Sequence, residues 1–307
     1  MAKFNAKFKN LHINTKFNLL LIVTFILGMI LSGVTLSSIL YQRAQYEISI
    51  QAELLMETMN SLRFYTQDHV NPLLAPKLTQ VSKFIPEAIP TYSVREVSQY
   101  LSKNSAYKYF KYKDAALNPT NPLDQADSFE TQLVNQFKSQ TQKAEITGFR
   151  TDKKTPRFYT ARPFIVKEKR CLQCHSRPEI APKSLIATYG KRGFGWKLND
   201  IVAAQMVYVP SEEVFRKARQ AFINIMVIVT SIFIAVTLLI NFLLKKVVIL
   251  RIRNIATTAN AISKGDMSSN FQDDSKDEIG LLAIAFERMR ASLLIAMDLI
   301  NQTQPKP

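Results

Sequence analysis

Cys171 and Cys174 are the only cysteines among 307 residues; they stand three positions apart, and His175 follows directly. Cys-Leu-Gln-Cys-His has the spacing of a c-type haem attachment motif. Two thiols so placed can each form a thioether to the vinyl groups on one porphyrin edge. The next residue can then bring its imidazole under the iron as proximal ligand. Three other readings of these residues compete. Chance placement has a probability on the order of one in ten thousand for a chain this poor in Cys and His. A structural zinc needs four ligands, and the sequence has no second Cys or His pair. A CxxC redox dithiol would open a helix and needs no histidine. Two cysteines are too few for a disulfide framework. The motif therefore predicts covalently bound haem c, and such attachment takes place outside the cytoplasm.

The elements that must carry this motif begin with two windows, 17–42 and 220–244, that contain no Lys, Arg, Asp or Glu. At ~1.5 Å per residue each is long enough to cross a ~30 Å hydrocarbon layer. A purely soluble protein is excluded, and so is wholesale disorder. A cleaved signal peptide is the alternative for the first window, but its apolar stretch exceeds a typical h-region and lacks a sharp small-x-small site. An uncleaved anchor is expected. Lys3, Lys7, Lys9 and Lys16 precede the first span; Lys245, Lys246, Arg251 and Arg253 follow the second. The positive-inside rule then puts both termini in the cytoplasm and the intervening segment in the periplasm or thylakoid lumen. Arg216, Lys217 and Arg219 pull the other way, from a segment too long for its charges to dominate.

The expected layout is a cytoplasmic N-terminus at 1–16, a first span at 17–41, an extracytoplasmic haem domain at 42–219, a second span at 220–244, a linker at 245–300 and a tail at 301–307. The net charge of +16 divides as +4 on 1–16, +10 on 41–219 and +2 on 245–307, with no dense basic arm. A nucleic-acid partner is not expected.

Past the second span, Val248, Ile252, Ile255, Ala259 and Ile262 are spaced four, three, four, three. After a polar break, Ile279, Leu282, Phe286, Met289, Leu293, Ala296 and Ile300 form a second seam. Two short amphipathic helices bury such stripes economically as a parallel four-helix bundle from two chains. Asp277-Glu-Ile-Gly-Leu-Leu-Ala-Ile-Ala-Phe-Glu-Arg-Met289 resembles the second helix of the HAMP linker family over about 244–296. Arg251 replaces the family's usual early proline, and Glu287 its common asparagine. The resemblance implies a homodimer; the generic alternative is a plain coiled coil. Only Asn-Gln-Thr-Gln-Pro-Lys-Pro follows Ile300, so the output is expected on a separate protein such as a histidine kinase or a cyclase.

Within 41–219 a helical pattern runs from the membrane to about Val70, ended by Pro72 and Pro76. Further helices are expected at 93–101 and 128–141, and strands at 157–166 and 201–209. Helices and strands mix without a βαβ rhythm, which predicts an α+β domain. The stretches FIPEAIPTYSVREV, AALNPTNPLDQADSFE, CLQCHSRPEIAP and YGKRGFGWKLNDIVAAQMVYVP resemble a cyanobacteria-rich family of c-type haem sensor domains, long classed as a domain of unknown function, with a PAS-like fold. The resemblance implies a haem held against a small antiparallel sheet, His175 as one axial ligand, and a long N-terminal helix over the other side. A structurally known relative takes its second ligand, a cysteine, from that helix; no third cysteine exists here.

His69, near that helix end, is the candidate distal ligand, the alternative being an exposed or capping histidine. Met56 and Met59 on the same helix are softer candidates, core packing their ordinary role, and an empty sixth position stays open. A vacant iron could bind a diatomic gas; a filled one favours redox sensing. Arg162, Arg170, Arg177 and Lys183 are candidates for pairing with haem propionates. Phe194 and Trp196 are either pocket wall or core, and Gly190, Gly193 and Gly195 mark a tight turn.

The expected function is a membrane-anchored haem-based redox or small-ligand sensor signalling through the linker. A membrane-anchored electron carrier and a haem-free, chemoreceptor-like ligand-binding protein are the alternatives. Enzymatic activity is not expected beyond peroxidase chemistry at an open haem, because no phosphate loop or Ser-His-Asp order is present.

Overall fold

The computed structural model describes residues 12–78, 83–152 and 155–303, with side chains left aside at 152, 155 and 300–303. Lys3, Lys7, Lys9 and the Ile300 side chain, named above, lie outside the described residues. The chain divides into two compact units, one of Leu36–Phe222 and one of Met1–Thr35 with Ile223–Pro307.

The first unit is α+β. Helix α1 (Ile13–Tyr65) enters it with Ile48, Ala52, Leu55, Met56 and Met59 on one face, a helical spacing that buries one stripe. The expected stop near Val70 is not a stop. Thr66–Val70 forms one widened turn, closed by Asn71 N–H donating to Thr66 O, and α2 (Asn71–Leu78) continues. Pro72 stands directly after this widened turn, where the helical hydrogen-bond ladder is already shifted. Helix α3 (Pro90–Lys103) and strand β1 (Lys111–Ala116) follow, then α4 (Ser128–Ser139), whose N-terminus is closed by an Asp127/Glu130 capping box. Strands β2 (Ile146–Asp152) and β3 (Thr155–Ile165) form a hairpin, and β4 (Ile201–Pro210) completes an antiparallel sheet of order β1-β4-β3-β2. First and last strands side by side in one antiparallel sheet suit the PAS-like expectation.

β4 is central and apolar on both faces. Val207 and Val209 pack with Tyr112 and Phe158 under α1, while Ala204, Met206 and Tyr208 pack with Leu133, Val134 and Phe137 of α4. Alternation puts successive residues on opposite faces, so a strand covered on both sides must be hydrophobic throughout. At the far end of the β3–β4 ladder the register slips: Phe164 opposes Ala203, but Ile165 opposes Ile201. The ladder opens there, and the connection leaving it carries α5 (Cys171–His175) and α6 (Lys183–Tyr189).

The second unit holds two helices long and apolar enough to cross a membrane, the first part of α1 and α7 (Glu212–Leu243). Their faces meet: Phe25 stacks on Phe233 at 3.7 Å, and Asn241 donates to Asn18 at 2.7 Å. Ser32 and Thr35 return their hydroxyls to Gly28 O and Leu31 O, which satisfies them without water. A widened turn at Leu244–Ile249 leads to α8 (Leu250–Ser263), and α9 (Glu278–Thr303) follows a connector. Ile255, Ile262 and Ala283 form a small core with connector residue Phe271. Seam residues Ala259, Ile279 and Phe286 pack against this core, while Ile252, Leu282, Met289 and Leu293 are exposed in the single chain. Gly280 passes so close to the Ser275 carbonyl that any Cβ would collide with it.

Candidate cofactor site

The segment between β3 and β4 is tied at its base, where Val166 donates to Asp200 O and Asn199 donates to Val166 O. Above this base the single turn α5 presents Cys171, Cys174 and His175. Positions i, i+3 and i+4 share one helix face, and all three residues line one cavity of ≈ 660 Å³. That size falls in the ~300–1,000 Å³ range of ordinary ligand pockets. A second cavity meets it across a shared wall of Ile89, Thr91, Phe164, Cys174, His175 and Trp196.

His175 is held by its backbone and by its ring. Trp196 N–H donates to His175 O at 3.2 Å, and Gly195 N–H donates to Ser176 O at 3.1 Å. The Trp196 ring stacks on the imidazole at 4.0 Å and 13°. His175 Nδ1 lies 2.9 Å from Gly193 O. A carbonyl only accepts, so Nδ1 carries the proton and donates, and Nε2 keeps the lone pair that binds a metal. Burial pushes the imidazole below its ordinary range, with the Gly193 bond working partly against this, so the neutral ligand form prevails. Gly193 is required for this. Its φ is +73°, and a Cβ there would collide with Thr120.

Burial also raises both thiols, Glu168 adding to the effect at Cys171 and Cys171 to that at Cys174. A redox dithiol works through a lowered thiol pKa; these cysteines have the opposite environment. Among the described residues no group of three or more His, Cys, Asp or Glu side chains comes together as a metal site.

The wall supplied by α1, the widened turn and α2 contains Arg63, Gln67 and Asn71, none of them among the residues named from the sequence. Arg63 is 6% exposed. Its Nη2 donates to Asp114 Oδ2 at 2.6 Å and to the Tyr112 hydroxyl at 3.0 Å, and Nη1 donates to Thr91 Oγ1 at 3.0 Å. Burial disfavours the charge, but Asp114 and Tyr112 outweigh it and keep the guanidinium ionised. Burial and Asp114 also keep the Tyr112 phenol protonated, and it donates to Asp114 Oδ1. The Arg63 guanidinium stands 4.9 Å from the Phe164 ring centroid, and Phe164 meets Trp196 edge-on at 6.4 Å. Rings thus connect His175 to α1. The signal for Arg63 was present in the sequence as a charged residue four positions past Met59 on a buried helical face.

Other predicted residues fall elsewhere. His69 is exposed, pairs with the Tyr65 ring and lines neither cavity. Met56 and Met59 are core residues under the sheet. Arg162 is engaged by Glu57 and Glu145, away from the cavities. Arg177 is exposed and lines neither cavity. Arg170 and Lys183 do line the larger one, Arg170 held by Asp68 and Glu168. Phe194 packs with Cys174, Leu185 and Tyr189.

A family model described as Tll0287-like matches residues 41–210. The chain belongs to the Tll0287-like family. A HAMP domain model matches residues 243–294, so the Tll0287-like domain is followed by a HAMP domain. One solved structure, described as that of the cyanobacterial haem protein Tll0287, is 20% identical. The alignment covers 53% of this chain and 95% of that chain, at a TM-score of 0.37. No curated protein matches.

The residues around α5 fit the haem that their spacing implies. Two thiols and an imidazole with a free Nε2 share one cavity wall, an apolar and aromatic lining surrounds them, and a cationic rim residue, Lys183, is within the same lining.

Proposed function

We propose that this chain is a membrane-anchored sensor whose Tll0287-like domain carries haem c, attached through Cys171 and Cys174 and ligated by His175, and signals through its HAMP domain. The observation that carries the reading is the His175 Nδ1–Gly193 contact at 2.9 Å, which reserves Nε2 for a metal beside two thiols. The haem would supply an iron with two oxidation states and an exchangeable coordination position.

The protein's own residues do the rest. Cys171 and Cys174 anchor, Trp196 and Gly193 fix the imidazole plane and tautomer, and Lys183 offers a counter-charge at the rim. Phe164 lies on β3 at the register slip, opposite Ala203 of β4. β4 runs through Ser211, whose hydroxyl donates to Pro156 O, straight into α7. A change at the site therefore has a short covalent route from β4 to the second candidate span. A stimulus moves such an equilibrium only by its differential affinity for the two states. In the proposed homodimer the exposed Ile252, Leu282 and Met289 meet their counterparts, and the HAMP bundle passes the bias to an output protein.

The deciding experiment is an in-gel haem stain together with ferric and ferrous absorption spectra of protein co-expressed with the cytochrome maturation machinery. Stain-positive protein with a ligated-haem spectrum is expected; colourless protein refutes the reading. Loss of signalling on polar substitution at Ile252 or Phe286, with the spectrum unchanged, separates a sensor from an electron carrier on a stalk.

A further inference from the structure

We infer that the basic cavity beside the edge strand β1 is a binding site for a small organic carboxylate, whose carboxylate group is taken by Arg157 of β3. None of Cys171, Cys174 and His175 lines this cavity, so the site is separate from the proposed haem site and gives the domain a second kind of ligand.

The cavity, of ≈ 430 Å³, lies between α3, β1 and the start of α4, and its size is that of a ~300–1,000 Å³ ligand pocket. Six cations and four carboxylates line it. All four carboxylates are engaged: Asp124 by Arg95, Glu130 by Lys113, Asp127 by Arg150, and Asp114 by Arg63, which stands outside this lining. Arg157, Lys111 and Lys108 are left over, and among the described residues none of the three pairs with an acid.

Register places the surplus. Arg157 stands directly opposite Arg150 in the β2–β3 ladder, and like charges so placed repel. Asp127 at 2.8 Å and the Tyr208 hydroxyl at 3.2 Å hold Arg150; nothing equivalent serves Arg157. Lys111 is opposite Tyr208, Tyr208 is opposite Tyr159, and Arg157 is two residues from Tyr159. Cross-strand partners and alternate residues share a sheet face, so Lys111, Arg150 and Arg157 project around Tyr208 on one side. Arg157 is half-buried, and of its nitrogens only Nε is enclosed, which leaves its terminal fork open.

Charge and size select the class. A planar guanidinium fork matches a carboxylate through two parallel bonds, and Lys111 adds a point charge on the same face. A zwitterion or an amine finds no free acid for its ammonium group, since every carboxylate of the lining is taken. Inorganic phosphate would leave most of the cavity unfilled. Phe110 and Leu123 offer apolar surface to a short carbon chain instead.

The test is isothermal titration calorimetry on the full-length protein in detergent, with sodium acetate, succinate and citrate, and with sodium phosphate and sulfate at matched ionic strength. At least one carboxylate should saturate one site per chain with a Kd below ~1 mM, and neither inorganic anion should do so. Arg157→Gln should weaken that carboxylate about tenfold or more. Arg177→Gln, at an exposed residue that does not line the cavity, should leave it unchanged. Without ligand, Arg157→Gln should melt no lower than the unsubstituted protein, because it relieves the repulsion with Arg150; a lower melting temperature would assign Arg157 to the fold and overturn its role. The inference fails if no carboxylate saturates, if phosphate or sulfate binds as tightly (an adventitious ion only), or if Arg157→Gln binds as the unsubstituted protein does. The first two outcomes are read on the unsubstituted chain, so a misfolded variant leaves them intact. The haem stain is read separately, so failure here leaves the haem reading standing.

Discussion

His175 Nδ1 donates to the Gly193 carbonyl at 2.9 Å, and Gly193 reaches that position only because it lacks a side chain. Gly193→Ala adds a Cβ at φ +73° against the Thr120 backbone and hydroxyl. The strain is ~1–3 kcal/mol, and its relief must move the carbonyl. Thermal unfolding should shift downward, and the absorption spectrum should change in the same variant. An unchanged spectrum would disconnect this loop from the iron ligand.

The thioether and ligand roles are separable. Cys171→Ser/Cys174→Ser should remove all haem that survives a denaturing gel. His175→Ala should keep the stain but lose the ferrous spectrum of an imidazole-ligated haem. A stain-negative His175→Ala variant that is otherwise folded would show that attachment depends on ligation.

Buried and exposed ion pairs should differ sharply. Asp114→Ala leaves the Arg63 cation buried without its partner and should cost about 3–5 kcal/mol in urea unfolding. Glu213→Ala breaks a pair with Lys217 whose side chains are 63% and 70% exposed, and should change stability by less than ~1 kcal/mol.

Asp124 should make the Tll0287-like domain less stable as pH rises through the mildly acidic range. Burial pushes its carboxyl up to about 6, against the pull of Arg95 at 2.6 Å. An unfolded aspartate titrates near ~3.9, so between these values the folded chain holds a proton the unfolded chain has released. The contribution is complete below ~pH 4 and is lost as pH climbs past about 6, with a span of up to ~3 kcal/mol. Asp124→Asn should flatten that slope in pH-dependent denaturation; an unaltered slope would assign it to another group.

In the HAMP segment both departures from the family pattern hold the connector. Arg251 pairs with Asp273 at 2.8 Å and Asp277 at 2.5 Å, while Glu287 accepts from Phe271 N–H at 3.1 Å. Arg251 hydrogen bonding draws Asp277 well below the carboxylate range and takes Asp273 to about 2. Arg251→Ala should therefore raise hydrogen exchange across 265–277 while α8 and α9 stay protected. Equal exchange in both proteins would show that the apolar core around Phe271 suffices.

The attachment motif, the two charge-free windows and the heptad spacing were legible without coordinates because each is local. Thioether spacing, membrane length and a helical seam are all set within a few turns of one chain. β3 and β4 were equally readable, since both are rich in β-branched and aromatic residues and β4, covered on both faces, is almost wholly apolar. β1 and β2 were not. Lys113 and Asp114 look like loop residues until Glu130 and Arg63, distant in sequence, are seen to neutralise them. The same holds for the second side of the site. Histidine chemistry pointed to His69, but which face of α1 meets the cavity depends on how that helix packs on the sheet and where the widened turn at Thr66–Val70 falls. That packing buries Arg63 and leaves His69 in solvent: the helical stripe through Met59 marks Arg63 as inward-facing, but the groups that meet it, Asp114 and Tyr112, are set by long-range packing.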